Sequence, residues 1–206
     1  MNIPPSISRT ASRLALTASL FAGQGCDTSD VPQGCMTTQN TAPLQAVSSN
    51  IHTKAKAALD AMTTLLKAEK AQSIQADVTF NWGTHINNLP VVQMGSSFIE
   101  CHTQDHDTTI VCGIGTLSNS KATNGYNATD YTEVNVDTDS VILYPPDSGN
   151  ALTIQQSQDL CQASDGTHWG TPCENDTQVC TDTIVDIGKQ THQVYDMFTQ
   201  KIGKQP

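Results

Sequence analysis

Four short stretches of this sequence gather side chains that can ligate, titrate or stack. In CHTQDHD, His102, Asp105, His106 and Asp107 surround a turn. Imidazole and carboxylate together can bind zinc or act as base and orienter. Turn chemistry alone also accounts for Asp and His at these positions, and a simple turn is the expectation. In YTEVNVDTDS, strand alternation places Tyr131, Glu133, Asn135, Asp137 and Asp139 on one face, with Thr132, Val134, Val136 and Thr138 on the other. Hard carboxylate oxygens suit calcium. Alternate residues of an extended strand stand about 6.5–7 Å apart, so one ion would need a bend or a loop ligand such as Asp130. An acidic outer strand face is therefore expected.

The other two stretches pair an indole with a histidine. In DGTHWGTPC, Asp165 precedes His168 and Trp169, and a loop held by cysteines could present them to a glycan or a protein surface. Trp169 serves equally well as a small satellite core beneath that loop. Trp82 and His85 in NWGTH invite the same two readings, with burial the expected one. The sequence has no GxSxG elbow, HExxH, P-loop, dinucleotide-binding glycine fingerprint or CxxC. No catalytic residue, metal centre or cofactor is assigned. The binding candidates are Trp169, His168, Tyr126, Glu133, Asp137 and Asp139.

The middle of the chain reads as a run of strands that would position these groups. Residues 78–84, 90–94, 97–103 and 108–114 are β-rich and separated by Asn, Pro, Gly and Asp. Gaps this short leave no room for a parallel crossover, so an antiparallel meander is predicted. The loop LSNSKATNGYN follows, then strands at 130–137 and 139–144 before Pro145 and Pro146. One hairpin register can be worked out on paper. If Thr103 pairs with Ile110, Cys101 falls opposite Cys112. Ile99, Cys101, Ile110, Cys112 and Ile114 then share one face, while Phe98, Glu100, His102, Thr109 and Val111 line the other. That register satisfies both side-chain alternation and disulfide proximity.

Helices are expected on either side of the meander. Ala58, Leu59, Met62, Leu65 and Leu66 recur at helical steps within residues 51–71, with Ser49 or Asn50 as a cap. A short helix is predicted over 152–163 and a longer one over 183–202, capped by Thr181 or Asp182, with Lys201 and Lys204 near its negative end. The predicted fold class is α+β: an antiparallel sheet of about five or six strands packed against an N-terminal helix and one or two C-terminal helices, stapled by disulfides.

Composition bounds what such a domain can do. The chain has 206 residues, of which 37% are hydrophobic and 5% aromatic, so its core must be aliphatic. Ten basic residues against twenty acidic ones leave a net charge of −10, which argues against nucleic-acid binding. Fifteen of the acids and one base, Lys121, fall within residues 71–188, and this biases any partner toward cationic ones. No apolar run is long enough to span a membrane.

Arg9 and Arg13, the apolar run from Leu14 to Ala22 and the small residues after it form the pattern of a secretory signal over residues 1–25. Residues 26–50 then read as a disulfide-pinned arm or linker, and 51–206 as a single domain. Seven cysteines, at Cys26, Cys35, Cys101, Cys112, Cys161, Cys173 and Cys180, suggest staples in an oxidising compartment. One of the seven must be unpaired or intermolecular. Asn127 and Asn175 stand in glycosylation sequons.

The functional expectation is a secreted domain that recognises a protein or glycan without catalysis, through loops 115–130 and 164–180. The alternatives are a small secreted hydrolase drawing on His102, Asp105, His106 and His168, or a structural coat component.

Overall fold

The structure is a computed structural model that describes residues 41–105, 107–120, 125–146, 150–157, 160–165 and 177–203. The signal-like segment, Cys26, Cys35, Cys173, Asn175, His106, His168 and Trp169 lie outside the described residues. Helix α1 covers Thr41–Lys67, starting ten residues before the predicted position. Leu44, Val47 and Ile51 continue the buried stripe of Ala55, Leu59, Met62 and Leu66 at steps of three and four. Pro43 masks this beginning in the sequence. It lies within the first turn, where the backbone N–H groups have no helical partner, so the missing donor costs nothing. Ser49 and Asn50 are consequently interior residues rather than caps.

Helix α2 covers Thr177–Ile202 and also begins earlier than predicted, with Thr181 and Asp182 inside it. Cys180, Ile184, Ile187, Thr191, Val194 and Phe198 form its buried stripe. The two helices run parallel. Ser48 Oγ meets Thr183 Oγ1 at 2.9 Å, and His52 Nε2 meets Asp186 Oδ2 at 2.7 Å. Further along, Lys201 Nζ reaches the carbonyls of Leu66 and Ala68 at 3.4 and 3.2 Å. Lys201 therefore satisfies the carbonyl end of α1, the neighbouring helix, as well as lying near its own.

Eight strands connect the helices: β1 (Gln72–Phe80), β2 (His85–Met94), β3 (Ser97–Gln104), β4 (Thr109–Asn119), β5 (Tyr126–Val136), β6 (Ser140–Tyr144), β7 (Leu152–Ser157) and β8 (Leu160–Ser164). Consecutive strands are antiparallel neighbours. The predicted helix at 152–163 is instead the hairpin of β7 and β8, with Ile154 opposite Ala163 and Gln156 opposite Cys161. Ile154 and Cys161 stand seven residues apart, as on a helix stripe, but Leu152 with Ile154 and Cys161 with Ala163 alternate as in strands, and the strand edge left by β6 takes the segment as a hairpin. Much of the predicted loop at 115–130 is also strand, since β4 continues to Asn119 and β5 begins at Tyr126.

The meander closes on itself after five strands. β1 pairs with β5 in parallel, with Val78 opposite Tyr126 and Phe80 opposite Ala128. Five alternating strands leave the first and last pointing the same way, so closure forces this one parallel pair. Gly125 permits the approach, since a Cβ there would stand 2.5 Å from the Asp77 carbonyl oxygen. A small barrel results, filled by Ala76, Val78, Phe80, Leu89, Val91, Phe98, Leu117, Ala128 and Tyr131. Strands β6–β8 extend the sheet beyond it.

The second, larger core lies between the sheet and the two helices. Ile99, Cys101, Ile110, Cys112, Val134, Val136, Leu143 and Ile154 face Leu59, Met62, Ile187 and Phe198 among others. Each such side chain contributes roughly 1.5–3 kcal/mol on burial. Two disulfides cross-link this layer. Cys101 bonds Cys112 in the register derived above, and Cys161 bonds Cys180, tying β8 to the first turns of α2. Closing loops of 11 and 19 residues removes unfolded-state entropy worth about 3 kcal/mol each in the chain-entropy description. The architecture is thus a disulfide-stapled α+β fold.

Candidate functional site

A polar cluster occupies the end of the barrel where β1 stops and β3–β6 continue. Glu100, Gly113, Glu133 and Tyr144 stand in one cross-strand row, and His102, Val111, Asn135 and Ile142 in the next. Residues directly opposite one another project to the same side, so both rows lie on the face turned away from the helices. Glu100 is 1% exposed and Glu133 5%. The alternation predicted for Tyr131, Glu133 and Asn135 is present, but Tyr131 and Glu133 are buried and not part of an acidic outer surface. Barrel closure is what covers them.

Tyr131 is aimed by a β-bulge. Between the pairs Ile114 with Thr132 and Thr116 with Thr129, two residues of β5, Asp130 and Tyr131, oppose the single Gly115. Asp130 takes the left-handed conformation, φ 49°, that Asp tolerates better than most residues. Tyr131 then crosses β4 toward β3. Its path requires glycines beneath it: a Cβ at Gly113 would overlap the Tyr131 hydroxyl, and one at Gly115 would stand 2.9 Å from the Thr129 carbonyl oxygen. The Tyr131 hydroxyl donates to Glu100 Oε1. Glu100 Oε2 meets His102 Nδ1 at 3.0 Å, and His102 Nε2 meets Gln104 Nε2 at 3.0 Å. Both oxygens of the buried carboxylate are thereby engaged, as burial of a charge demands.

Aromatic rings close the barrel beside this network. The β1–β2 turn is tight, with Gly83 N–H donating to Phe80 O at 2.9 Å and Gly83 at φ 91°. That turn holds Trp82 against Phe80, stacked at 4.6 Å, and 5.4 Å from Tyr131. Contrary to the expected burial, Trp82 is 48% exposed. Tyr144, in the Glu133 row, is 44% exposed. Asn135 Oδ1 is a buried acceptor with no hydrogen-bond partner among the described residues.

The remaining sequence candidates are more scattered. Asp105 and Asp107 sit at the β3–β4 turn at φ 49° and 70°, where Asp107 accepts from the Thr103 hydroxyl. His102 turns inward to Glu100 and away from them. Asp137 shapes the β5–β6 turn by accepting from Thr138 N–H at 2.7 Å, and Asp139 lies exposed in that turn. Tyr126 packs against the barrel core. Among the described residues, no three His, Cys, Asp or Glu side chains converge to hold a metal ion.

A concavity of about 360 Å³ lies elsewhere, between the helices, lined by Ser48, Ser49, His52, Asp182, Thr183 and Asp186 among others. The sequence offers no sign of it, because His52 and Asp186 are 134 residues apart and meet only when the helices pack. Gln104 and Asn135 also escaped notice as site residues. Only the register of β3–β5 brings them to the mouth.

The fold and its mouth define the protein as a closed five-strand meander extended into an eight-strand sheet under two parallel helices. No protein-family model, curated protein or solved structure matches the chain.

Proposed function

We propose that the protein is an extracytoplasmic recognition domain that binds a glycan at the barrel mouth and performs no chemistry on it. The half-exposed indole of Trp82, stacked on buried Phe80, carries this reading. A ring fixed before binding offers a flat apolar surface with little ordering entropy to lose. The rows of β5 and β6 carry further groups suited to sugars. The amide of half-buried Asn135 is of a type that hydrogen-bonds hydroxyls, and Tyr144 supplies a second exposed ring beside Glu133. The carboxylates favour glycans that carry a cationic group.

Several observations support the rest of the reading. Two disulfides persist best in an oxidising compartment. No helix among the described residues is long and apolar enough to cross a membrane. Asn127 is exposed on the outer wall of the barrel, where a glycan could be attached. Of the histidines in the hydrolase alternative, His102 is described, and it bonds Glu100 and Gln104.

The test is a glycan array followed by titration calorimetry on the hits. Trp82→Ala should weaken binding by tenfold or more, the size of effect a central aromatic anchor has. Full affinity in Trp82→Ala, or turnover of the bound glycan, would sink the proposal. Intact mass of protein from its natural host tests the compartment: a chain shortened near residue 25 supports secretion, and a full-length reduced chain removes it.

A further inference from the structure

We propose that His102 is a proton-operated latch at the barrel mouth, its charge state setting the orientation of the Gln104 amide. The neighbouring atoms define which protons the ring holds. Gln104 Nε2 lies 3.0 Å from His102 Nε2, and an amide nitrogen can only donate. His102 Nε2 is therefore an acceptor. The one ring proton sits on Nδ1 and is donated to Glu100 Oε2 at 3.0 Å. Together with the Tyr131 hydroxyl, which donates to Glu100 Oε1, every donor in the chain points toward the buried carboxylate. Bonds aligned in this way polarise one another.

A second ring proton disrupts the chain at one point. Nε2 then becomes a donor facing another donor, and the Gln104 amide must turn by half a rotation to present Oε1. At the other ring nitrogen, a hydrogen bond from an uncharged ring becomes an ion pair with a carboxylate that is 1% exposed. The His102 side chain keeps 22% exposure, so protons reach it from solvent. The ionisable groups of its own and the neighbouring strands on this face are Glu100 on β3, Tyr131 and Glu133 on β5 and Tyr144 on β6, with Asp105, Asp107 and Asp137 in the adjoining turns. From β4, the residue opposite is apolar Val111. The described residues of β1–β8 contain no Lys or Arg, so these neighbours supply only negative charge or none.

The consequence appears at the surface of the mouth. With His102 neutral, the half-exposed Gln104 turns its oxygen outward as an acceptor. With His102 protonated, the NH2 group faces outward as a donor. The pattern offered to a ligand is thus inverted by one proton, and the inversion does not depend on the ligand being a glycan.

Nitrogen-15 NMR of the full chain, across roughly pH 5 to 8 where histidine titrates, tests this without any ligand. The expected result is an Nδ1–H tautomer at the upper end and a doubly protonated ring at the lower end, with the Gln104 side-chain amide signals moving at the same midpoint. An Nε2–H tautomer at the upper end, or Gln104 signals indifferent to the ring, would overturn the proposal. Gln104→Glu at this half-exposed position offers only acceptors to Nε2. It should raise the proton affinity of His102 about tenfold, and an unchanged midpoint would count against the latch. Glu100→Gln should lower that affinity by a similar factor.

Discussion

Strands β3, β4 and β5 present two faces built from different materials. Toward the helices they offer Ile99, Cys101, Ile110, Cys112, Val134 and Val136, a buried layer of apolar side chains. Away from the helices the same strands carry Glu100, His102, Glu133 and Asn135, with Tyr131 laid across Gly113. The apolar face is held by area and volume, which many aliphatic side chains can supply. On the mouth face, by contrast, each donor must meet a particular acceptor, because an unsatisfied buried polar atom costs more than a made bond returns. The first face therefore stabilises the domain and the second specifies one arrangement of it.

Substitutions can break or sharpen this contrast. The largest effect is expected from removing volume on the helix side: Leu143→Ala, at a site 1% exposed, should cost about 2–5 kcal/mol in urea unfolding. Its companion Leu143→Met should cost less than about 1.5 kcal/mol, and similar losses for the two would show that volume is not what this face requires. Gly113→Ala comes next. The added methyl group displaces Tyr131 from Glu100, at a cost of roughly 1–3 kcal/mol, and near-ultraviolet circular dichroism should report the ring's altered environment. An unchanged spectrum with wild-type stability would refute the close packing.

Tyr131→Phe probes the mouth at nearly constant volume. It leaves Glu100 short of one donor and should cost about 1–3 kcal/mol, more than the volume-conserving swap across the sheet. Equal costs for Tyr131→Phe and Leu143→Met would erase the distinction between the faces. The smallest effect should be a gain. Gly188 sits inside α2, where a Cβ would meet Val136 Cγ1 at an ordinary 3.5 Å. Gly188→Ala should stabilise by roughly 0.5–1 kcal/mol through helix propensity, and a lowered melting temperature would place a tighter contact there than the structure has.

Local pattern was enough to reveal the elements whose signals are short-ranged. The Cys101 to Cys112 pairing followed from strand alternation and the reach of a disulfide, both local to one hairpin. The middle of α1 followed from its apolar stripe, whereas its beginning was hidden behind Pro43 and its end falls at Lys67, four residues before the expected one. The β7–β8 hairpin was read as a helix because Ile154 and Cys161 are seven residues apart, and in so short a segment that spacing hid the strand alternation of Leu152 with Ile154. Trp82, Glu100 and His102 were visible as residue types, but nothing near them in sequence says that they meet.

The sequence by itself determined the α+β class, the antiparallel order of the central strands and the two faces of the β3–β4 hairpin, since side-chain alternation and turn residues act over a few positions. Only the tertiary structure decided the closure of β1 on β5, the bulge at Asp130 that swings Tyr131 onto Glu100, and the parallel packing that joins His52 to Asp186. These depend on contacts between segments from 31 to 134 residues apart, where the gain from burial and hydrogen bonding must outweigh chain entropy and no local spacing records the outcome.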